Sequence, residues 1–157
     1  MSGYTLRGLD EDGSITAAFR AAGAMARELG VRLSFHPDQF VVLNSEREPV
    51  VAASVLEMDS QSELASLIGA DVLTLHAGSA AGGTAEALVR LERGIERLSA
   101  NARQRLALEN DDRSYSPGLL LPLCERLGLP MVYDVHHHRC NPGTLDVAMS
   151  SEPGLQR

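Results

Sequence analysis

Four residues that are common metal ligands each stand at the end of a short apolar segment. These segments are rich in residues that favour strands, and a helical pattern precedes each of them. The four residues are His36, His76, Glu109 and Asp134. Imidazole and carboxylate side chains together suit Zn²⁺, Mn²⁺ or Fe²⁺ better than Mg²⁺ alone. The pattern therefore indicates a metal site to which several strands contribute.

Each of these residues, taken alone, also has an ordinary structural explanation. A single histidine at a strand end is more often a hydrogen-bonded structural residue than a ligand, and a carboxylate there can cap the next helix. The histidine run at residues 136–138, taken alone, could be a solvated loop. The chain has only five histidines, however, so four strands that all end in possible ligands favour a shared metal site.

Alternating strands and helices would position these ligands. Leu88, Leu91, Ile95 and Leu98 recur at helical spacing, for example, and Gly30 terminates the first helical pattern. Strands are predicted at residues 31–35, 72–75, 106–109 and 131–135, and helices at residues 14–30, 50–70, 84–103 and 117–127. This alternation predicts an α/β fold with a parallel sheet and right-handed crossovers. The carboxyl ends of parallel strands share one edge, where α/β proteins place their sites.

Length and composition indicate one globular domain. The chain has 157 residues, of which 44% are apolar and 22% are charged. We expect a single domain over residues 1–157, with no clear pattern in the tail from about residue 143. The sequence lacks the run of about 18 apolar residues that a membrane span needs. Its first residues do not have a basic segment followed by an apolar one, so we expect no secretory signal. Two cysteines make no disulfide framework, so we expect a cytoplasmic protein that does not bind membranes.

Charge and motifs argue against several classes of function. The net charge of −7 argues against nucleic-acid binding through bulk electrostatics, although bound cations can reverse the local field. The sequence contains no nucleophile elbow, P-loop or dinucleotide-binding glycine motif. Cys124 and Cys140 do not have zinc-ribbon spacing. Metal-assisted chemistry at the strand ends is the best-supported class.

Four motifs together resemble the UV damage endonucleases: HPDQFVVLNS, LTLHAG, LALEND and YDVHHHRCNP, in this order. The resemblance runs from about residue 33 to residue 142. A more distant similarity links this family to AP endonucleases of the endonuclease IV type and to sugar isomerases of the xylose isomerase type. All of them are TIM barrels with metal ions at the C-terminal face. The resemblance therefore implies a (β/α) barrel.

The resemblance also implies roles for individual residues. Glu109 matches a carboxylate that bridges two metal ions, and Glu109 and His137 are the residues expected to be catalytic. His137 is taken from the histidine triplet because Asp134 and His137 have the D-x-x-H spacing of the family's ligands. The implied metal ligands are His36, His76, Glu109, Asp134 and His137.

The other candidate residues are expected beside these ligands. His136, His138 and Asn110 would support the ligands or contact a DNA phosphate, and a simple surface position is the alternative for the two histidines. Gln39 and Phe40 match the pair with which the family probes damaged DNA. An aromatic ring can fill the gap left by an unstacked lesion, and an amide can hydrogen-bond to exposed base edges. The alternative for Phe40 is packing beneath its own loop.

The implied function is that of a metal-dependent endonuclease acting on damaged double-stranded DNA. The family nicks the phosphodiester bond on the 5′ side of pyrimidine dimers, 6-4 photoproducts and abasic sites. Mn²⁺ is the expected ion, with Zn²⁺ or Mg²⁺ as alternatives. A competing hypothesis is a metal-dependent sugar isomerase on the same barrel. That enzyme needs a lysine near the substrate carbonyl, and this chain contains no lysine.

The predicted barrel is incomplete. A TIM barrel has eight β/α units in about 250 residues, whereas four units are predicted in this chain. We therefore expect a middle segment of a UV damage endonuclease, whose other units would supply further ligands. Exposed sheet edges predict self-association. A truncated remnant without catalytic activity is the second competing hypothesis.

Overall fold

Strands and helices alternate along the chain, as the sequence predicts. The computed structural model describes residues 10–143, so the unassigned tail lies outside the described residues from residue 144 onwards. The elements in chain order are α1 (Ser14–Glu28), β1 (Ser34–Phe35), α2 (Glu48–Ile68), β2 (Val72–His76), α3 (Thr84–Glu96), α4 (Ala100–Arg105), β3 (Leu106–Glu109), α5 (Pro117–Leu127), β4 (Met131–Val132) and α6 (Val135–Cys140). Within residues 10–143, no helix combines the length and the apolar character needed to cross a membrane.

The four strands form one parallel sheet in the order β1-β2-β3-β4. Each strand pairs with the next strand along the chain, and the intervening helices provide the crossovers. The register places His76 at the end of β2 opposite Glu109 at the end of β3. The carboxyl ends of the strands therefore meet at one edge, which is the arrangement that the sequence predicts.

The two outer strands are shorter than predicted. β1 pairs with β2 through two residues, and β4 pairs with β3 through two residues. Residues 31–33 do not join β1, because the N–H of Val31 donates to the carbonyl of Ala26 and closes the end of α1 around Gly30. Residues 133–135 do not extend β4, because Asp134 already caps the following helix.

The third predicted helix is divided in two by a cap. α3 ends at Glu96, and α4 begins after Ser99, whose side chain accepts a hydrogen bond from the N–H of Ala102. The carboxylate of Asp59 accepts the N–H of Ser99 at 2.9 Å. Capping hydrogen bonds of this kind satisfy the free amides of a helix start. The sequence-based prediction of a continuous helix over residues 84–103 was therefore wrong.

The core lies between the sheet and the helices. The leucines of β2 and β3 that face the helices are 1% exposed or less, and each contributes about 1.5–3 kcal/mol to folding when fully buried. They are Leu73, Leu75, Leu106 and Leu108. The opposite face of the sheet borders an open groove of about 450 Å³, with Thr74, Ala107 and Val132 among its lining residues.

Two helical glycines allow close backbone contacts. A Cβ on Gly23 would lie 2.0 Å from the carbonyl oxygen of Ile68, and a Cβ on Gly94 would lie 2.2 Å from that of Leu43. Real Cβ atoms do not approach a backbone oxygen this closely, so any side chain forces the segments apart. Gly94 thereby lets α3 pack against the loop that follows β1.

We predict that Gly94→Ala destabilises the protein. Alanine is the better helix former by about 1 kcal/mol, but the new methyl group collides with the backbone of Leu43. The free energy of unfolding, measured by urea denaturation, should fall by about 1–3 kcal/mol. The control Glu96→Ala, at an exposed position of the same helix, should change it by no more than about 0.5 kcal/mol. A more stable Gly94→Ala variant would contradict the contact.

Candidate metal centre

Glu109 lies at the middle of the polar cluster on the carboxyl edge of the sheet. It ends β3, and its side chain is only 8% exposed. Its Oε2 atom lies 2.8 Å from Nε2 of His36, which directly follows β1, and 3.6 Å from Nε2 of His76 at the end of β2. The register of three neighbouring strands thus brings two imidazoles to one buried carboxylate.

Asp134 and His137 come to the cluster through a helix start. Asp134 caps α6, and its Oδ1 atom accepts the backbone N–H of His137 at 2.8 Å. This bond lowers the pKa of Asp134 and keeps the carboxylate ionised. The cap places His137 in the first turn of α6, where its ring lies 5.5 Å from that of His76 between centroids. The D-x-x-H spacing is therefore the spacing of a helix cap.

Two groups of possible ligands share Glu109. In each group, one ligand atom per residue lies within 4.8 Å of the others. The first group is His36, His76 and Glu109, and the second is Glu109, Asp134 and His137. The two groups together contain all five predicted ligands, and Glu109 is the residue that they share.

Hydrogen bonds orient two of the three imidazole rings. Nδ1 of His36 lies 3.0 Å from the carbonyl oxygen of Pro37, and Nδ1 of His137 lies 2.9 Å from the carbonyl oxygen of Asn110. A carbonyl oxygen can only accept, so each Nδ1 carries a hydrogen and the neutral ring presents a lone pair at Nε2. Metal-ligating histidines are commonly held in this way.

The donor set fits a divalent cation. The Nε2 lone pair of neutral His36 faces a carboxylate oxygen of Glu109 at 2.8 Å, and two electron-rich atoms at this distance require a positive charge. A proton on the imidazole or a metal ion supplies that charge. Among the described side chains, Nδ1 of His76 is a buried nitrogen without a hydrogen-bond partner. Nitrogen and carboxylate oxygen donors together suit Zn²⁺ or Mn²⁺.

Asn110 connects the two halves of the centre. Its side-chain amide donates to the carbonyl oxygen of Asp134 at 3.0 Å and accepts the N–H of Asp134 at 2.9 Å. The side chain of Asn110 thus pairs with the backbone of Asp134, as a neighbouring strand would, just beyond the end of β4. The backbone carbonyl oxygen of Asn110 accepts a hydrogen bond from Nδ1 of His137. Asn110 is fully buried. It holds Asp134 and His137 and has no exposed surface with which to contact a phosphate.

The remaining predicted residues lie around the centre. His136 is exposed on α6, and the ring of His138 packs 5.3 Å from that of Tyr133 between centroids. Phe40 is 78% exposed, so the alternative that it packs beneath its own loop is wrong. Gln39 lines a cleft of about 410 Å³ next to the centre. Other residues of this cleft wall are His76, Ser79, Asp112, Arg113 and His137.

Two buried polar residues near the cleft were missed by the sequence-based prediction. Asn44 is 1% exposed and Tyr115 is fully buried, and both hydrogen-bond to Ser79 in the cleft wall. Asn44 belongs to the LNS end of the first motif, HPDQFVVLNS, and this was the signal that could have identified it. Tyr115 carries no local signal, since its partners lie 36 and 71 residues away along the chain.

Comparison with protein families identifies the group to which this arrangement belongs. A family model described as UV-endonuclease UvdE matches residues 4–154, nearly the whole chain. The chain belongs to the UvdE family. The predicted family is thereby confirmed.

Several UvdE relatives have curated names. The UV-damage endonuclease of Neurospora crassa is 40% identical over 149 residues, which is 86% of this chain and 22% of the relative. The UV DNA damage endonuclease of Bacillus cereus strain G9842 is 31% identical over 135 residues, 84% of this chain and 43% of the relative. The UV DNA damage endonuclease of Deinococcus radiodurans is 43% identical over 122 residues, which is 74% of this chain and 38% of the relative. The chain thus spans less than half the length of these relatives.

Solved structures place this UvdE chain in a fold class. The crystal structure of SacUVDE matches with a TM-score of 0.79 and 34% identity, over 90% of this chain and 50% of that one. D-psicose 3-epimerase with D-fructose matches with a TM-score of 0.69 at 15% identity, over 86% and 54% of the two chains. At this identity the match shows the fold alone. The neighbours are TIM barrels, and the predicted class of an incomplete TIM barrel is confirmed.

We predict that His36 titrates above the ordinary histidine pKa of 6.5 in the metal-free protein. Burial lowers its pKa, but the hydrogen bond to Glu109, the bond to Pro37 and the negative charge of Glu109 together outweigh burial. Because the folded-state pKa is raised, the stabilisation is fully present below the unfolded-state pKa and is lost as pH rises through the folded-state pKa. Protons compete with a cation for Nε2, so metal affinity should increase with pH over the same range.

An NMR titration of the His36 ring measures this pKa directly. Glu109→Gln removes the carboxylate charge and keeps the shape of the side chain, so the pKa of His36 should fall in this variant. A wild-type pKa at or below 6.5, or the same pKa in both proteins, would be inconsistent with the pairing.

Proposed function

We propose that this chain contributes the metal-binding site of a DNA endonuclease that cuts the phosphodiester backbone on the 5′ side of UV photoproducts and abasic sites. The observation that carries the proposal is the buried carboxylate of Glu109, which belongs to both groups of possible ligands at the carboxyl edge of the sheet. Membership of the UvdE family supports this substrate class. Mn²⁺ is the proposed ion, with Zn²⁺ or Mg²⁺ as alternatives.

His36, His76, Glu109, Asp134 and His137 would hold the cation or cations. A divalent cation bound there would activate a water molecule and stabilise the charge that develops on the phosphate. Glu109 would keep two sites at a fixed separation by serving both, and Asp134 would stay ionised because of its bond to the N–H of His137. His137, held through Nδ1, would offer Nε2 as a ligand at the site of the reaction.

Gln39 and Phe40 would recognise the damage. They lie in the loop that directly follows His36, so a base pair probed by this loop is adjacent to the metal centre. Phe40 is 78% exposed, which leaves its ring available to enter a DNA helix weakened by a lesion. Gln39 lines the cleft beside His76 and His137, within reach of a displaced base.

A sugar isomerase on the same barrel has weaker support. The likeness to D-psicose 3-epimerase is one of fold at 15% identity, and the chain has no lysine to polarise a substrate carbonyl. Phe40 is 78% exposed, which suits contact with a large substrate such as DNA better than the enclosed pocket of a small sugar. The non-catalytic remnant differs from our proposal in one measurable property, which is incision.

We predict that the chain incises UV-irradiated duplex DNA in the presence of Mn²⁺ and that Glu109→Gln lowers the rate by about 100-fold or more, because the shared ligand is lost. The measurement is gel analysis of a duplex oligonucleotide with one pyrimidine dimer, which should be cut on its 5′ side. The same duplex without the dimer is the substrate control.

The outcomes separate the competing functions. Equal cutting of damaged and undamaged DNA would refute the proposed substrate. Equal rates for the wild type and Glu109→Gln would refute the metal centre as the site of the reaction. Metal binding without any incision would favour the non-catalytic remnant.

We predict that Phe40→Ala lowers the preference for damaged over undamaged DNA by about tenfold, since one base–aromatic stacking contact is worth about 1–3 kcal/mol. Stability and metal affinity should stay unchanged, because the ring is exposed. Leu56→Ala, an exposed apolar residue of α2 at 64% exposure, is the matched control and should behave like the wild type. Unchanged preference in Phe40→Ala would exclude the ring from lesion recognition.

A further inference from the structure

The loops that follow β1, β2 and β3 are joined by one buried hydrogen-bond network. Asn44 lies in the first loop, Ser79 in the second and Tyr115 in the third. The side-chain amide of Asn44 donates to the carbonyl oxygen of Ser79 at 2.7 Å and to the hydroxyl of Tyr115 at 3.0 Å, and its Oδ1 atom accepts the N–H of Ser79 at 3.1 Å. The hydroxyl of Tyr115 donates to the same carbonyl of Ser79 at 2.9 Å.

This network satisfies all of its polar groups. Both hydrogens of the Asn44 amide, its oxygen, the hydroxyl of Tyr115 and both backbone groups of Ser79 have partners. Burial raises the pKa of Tyr115, and the nearby charge of Asp111 adds to the effect, so the hydroxyl stays protonated and continues to donate. A fully satisfied buried network rigidifies the segments that it joins.

The second loop is shaped around the side chain of Asn44. Gly78 has a φ of +86°, and a Cβ at this residue would lie 2.3 Å from Oδ1 of Asn44. Arg90 of α3 also donates from Nε to the backbone carbonyl of Asn44 at 3.0 Å. The backbone from His76 to Ser79 therefore has little freedom to move away from Asn44.

The network is close to the metal centre along the chain but does not touch it. Ser79 is three residues after His76, and the intervening Ala77 is fully buried. Gly78 and Ser79 form one wall of the cleft beside His76 and His137. Asp111, next to Asn110, accepts the N–H of Tyr115 at 3.1 Å. Movement of the network would therefore displace both the His76 loop and the loop that follows Glu109.

We propose that Asn44 and Tyr115 are positioning residues that hold the loops following β1, β2 and β3 together and thereby fix His76 relative to Glu109 in the metal centre. The hydrogen-bond network is the observation behind this proposal. Its expected effect on metal binding rests on the proposed metal-dependent function. Neither residue contacts the metal ligands through its side chain in the hydrogen bonds described. Their effect on the centre passes through the backbone of Ser79.

Tyr115→Phe is the sharpest test, because it removes one hydroxyl and keeps the buried ring. Ser62→Ala is the matched control. It also removes one buried hydroxyl, which donates to the carbonyl of Asp59 at 2.7 Å and accepts from Asn101 at 3.0 Å. That second network joins α2 to α4, just before β3 begins, at the opposite end of the sheet. A purely structural role predicts that the two variants bind Co²⁺ equally well.

The first readout needs no metal. Amide hydrogen exchange of Ser79, followed by NMR in the metal-free chain, should become about tenfold faster in Tyr115→Phe and stay unchanged in Ser62→Ala. Gly78→Ala, which displaces Asn44 without removing a hydrogen-bonding group, should accelerate the exchange of Ser79 as well. Unchanged exchange in Tyr115→Phe and Gly78→Ala would overturn the proposal.

The second readout is the visible absorption of Co²⁺ added to the chain, since the spectrum reports ligand geometry. Tyr115→Phe should bind Co²⁺ about tenfold more weakly with an altered spectrum, and Ser62→Ala should match the wild type. If Co²⁺ affinity and the spectrum changed equally in the two variants, the network would have only a general structural role and the proposal would be wrong. If the wild type binds no Co²⁺, the proposed function fails, and the exchange of Ser79 alone decides whether the network holds the loops.

Discussion

The buried charge of Glu109 is the constraint on which the centre depends. A carboxylate removed from water is costly unless a positive charge or several hydrogen bonds compensate it. Among the described residues, the ion-pair partners of Glu109 are His36 and His76, and neither imidazole carries a permanent charge. The compensating positive charge therefore has to come from a proton on an imidazole or from a bound metal cation. A protein that needed only stability at this position would place an apolar residue at the end of β3.

The rest of the fold serves to bring donors to that carboxylate. β3 is an inner strand, so neighbouring strands lie on both of its sides and deliver His76 from one and Asp134 from the other. Parallel pairing matters here, because it puts the carboxyl end of each strand at the same edge. Small residues let helices pack closely against neighbouring segments. Gly94, for example, lets α3 lie against the backbone of the loop that contains Gln39 and Asn44. Helix packing and the chemistry of the site are thereby coupled.

Local sequence patterns predicted the parts of the centre that depend on strands. His36, His76 and Glu109 each follow an apolar run, and strand periodicity with parallel pairing is sufficient to bring them together. His137 required a different signal, because Asp134 ends the extended chain and starts α6 within two residues of β4. The division between α3 and α4 was missed because it depends on Asp59, which lies 40 residues before Ser99. The Asn44–Tyr115 network likewise joins residues 71 positions apart, which no local pattern encodes.

Charge presents a further physical problem that the centre itself can solve. A chain with a net charge of −7 repels a DNA backbone, and the carboxylates of Glu109 and Asp134 add to that repulsion at the cleft. If these same carboxylates hold divalent cations, as we propose, the cations would reverse the local field and make the acidic residues part of a phosphate-binding surface. Metal binding would then determine both the reaction and the approach of the substrate. In the proposed function, the exposed ring of Phe40 would make stabilising contacts only when such a substrate is bound.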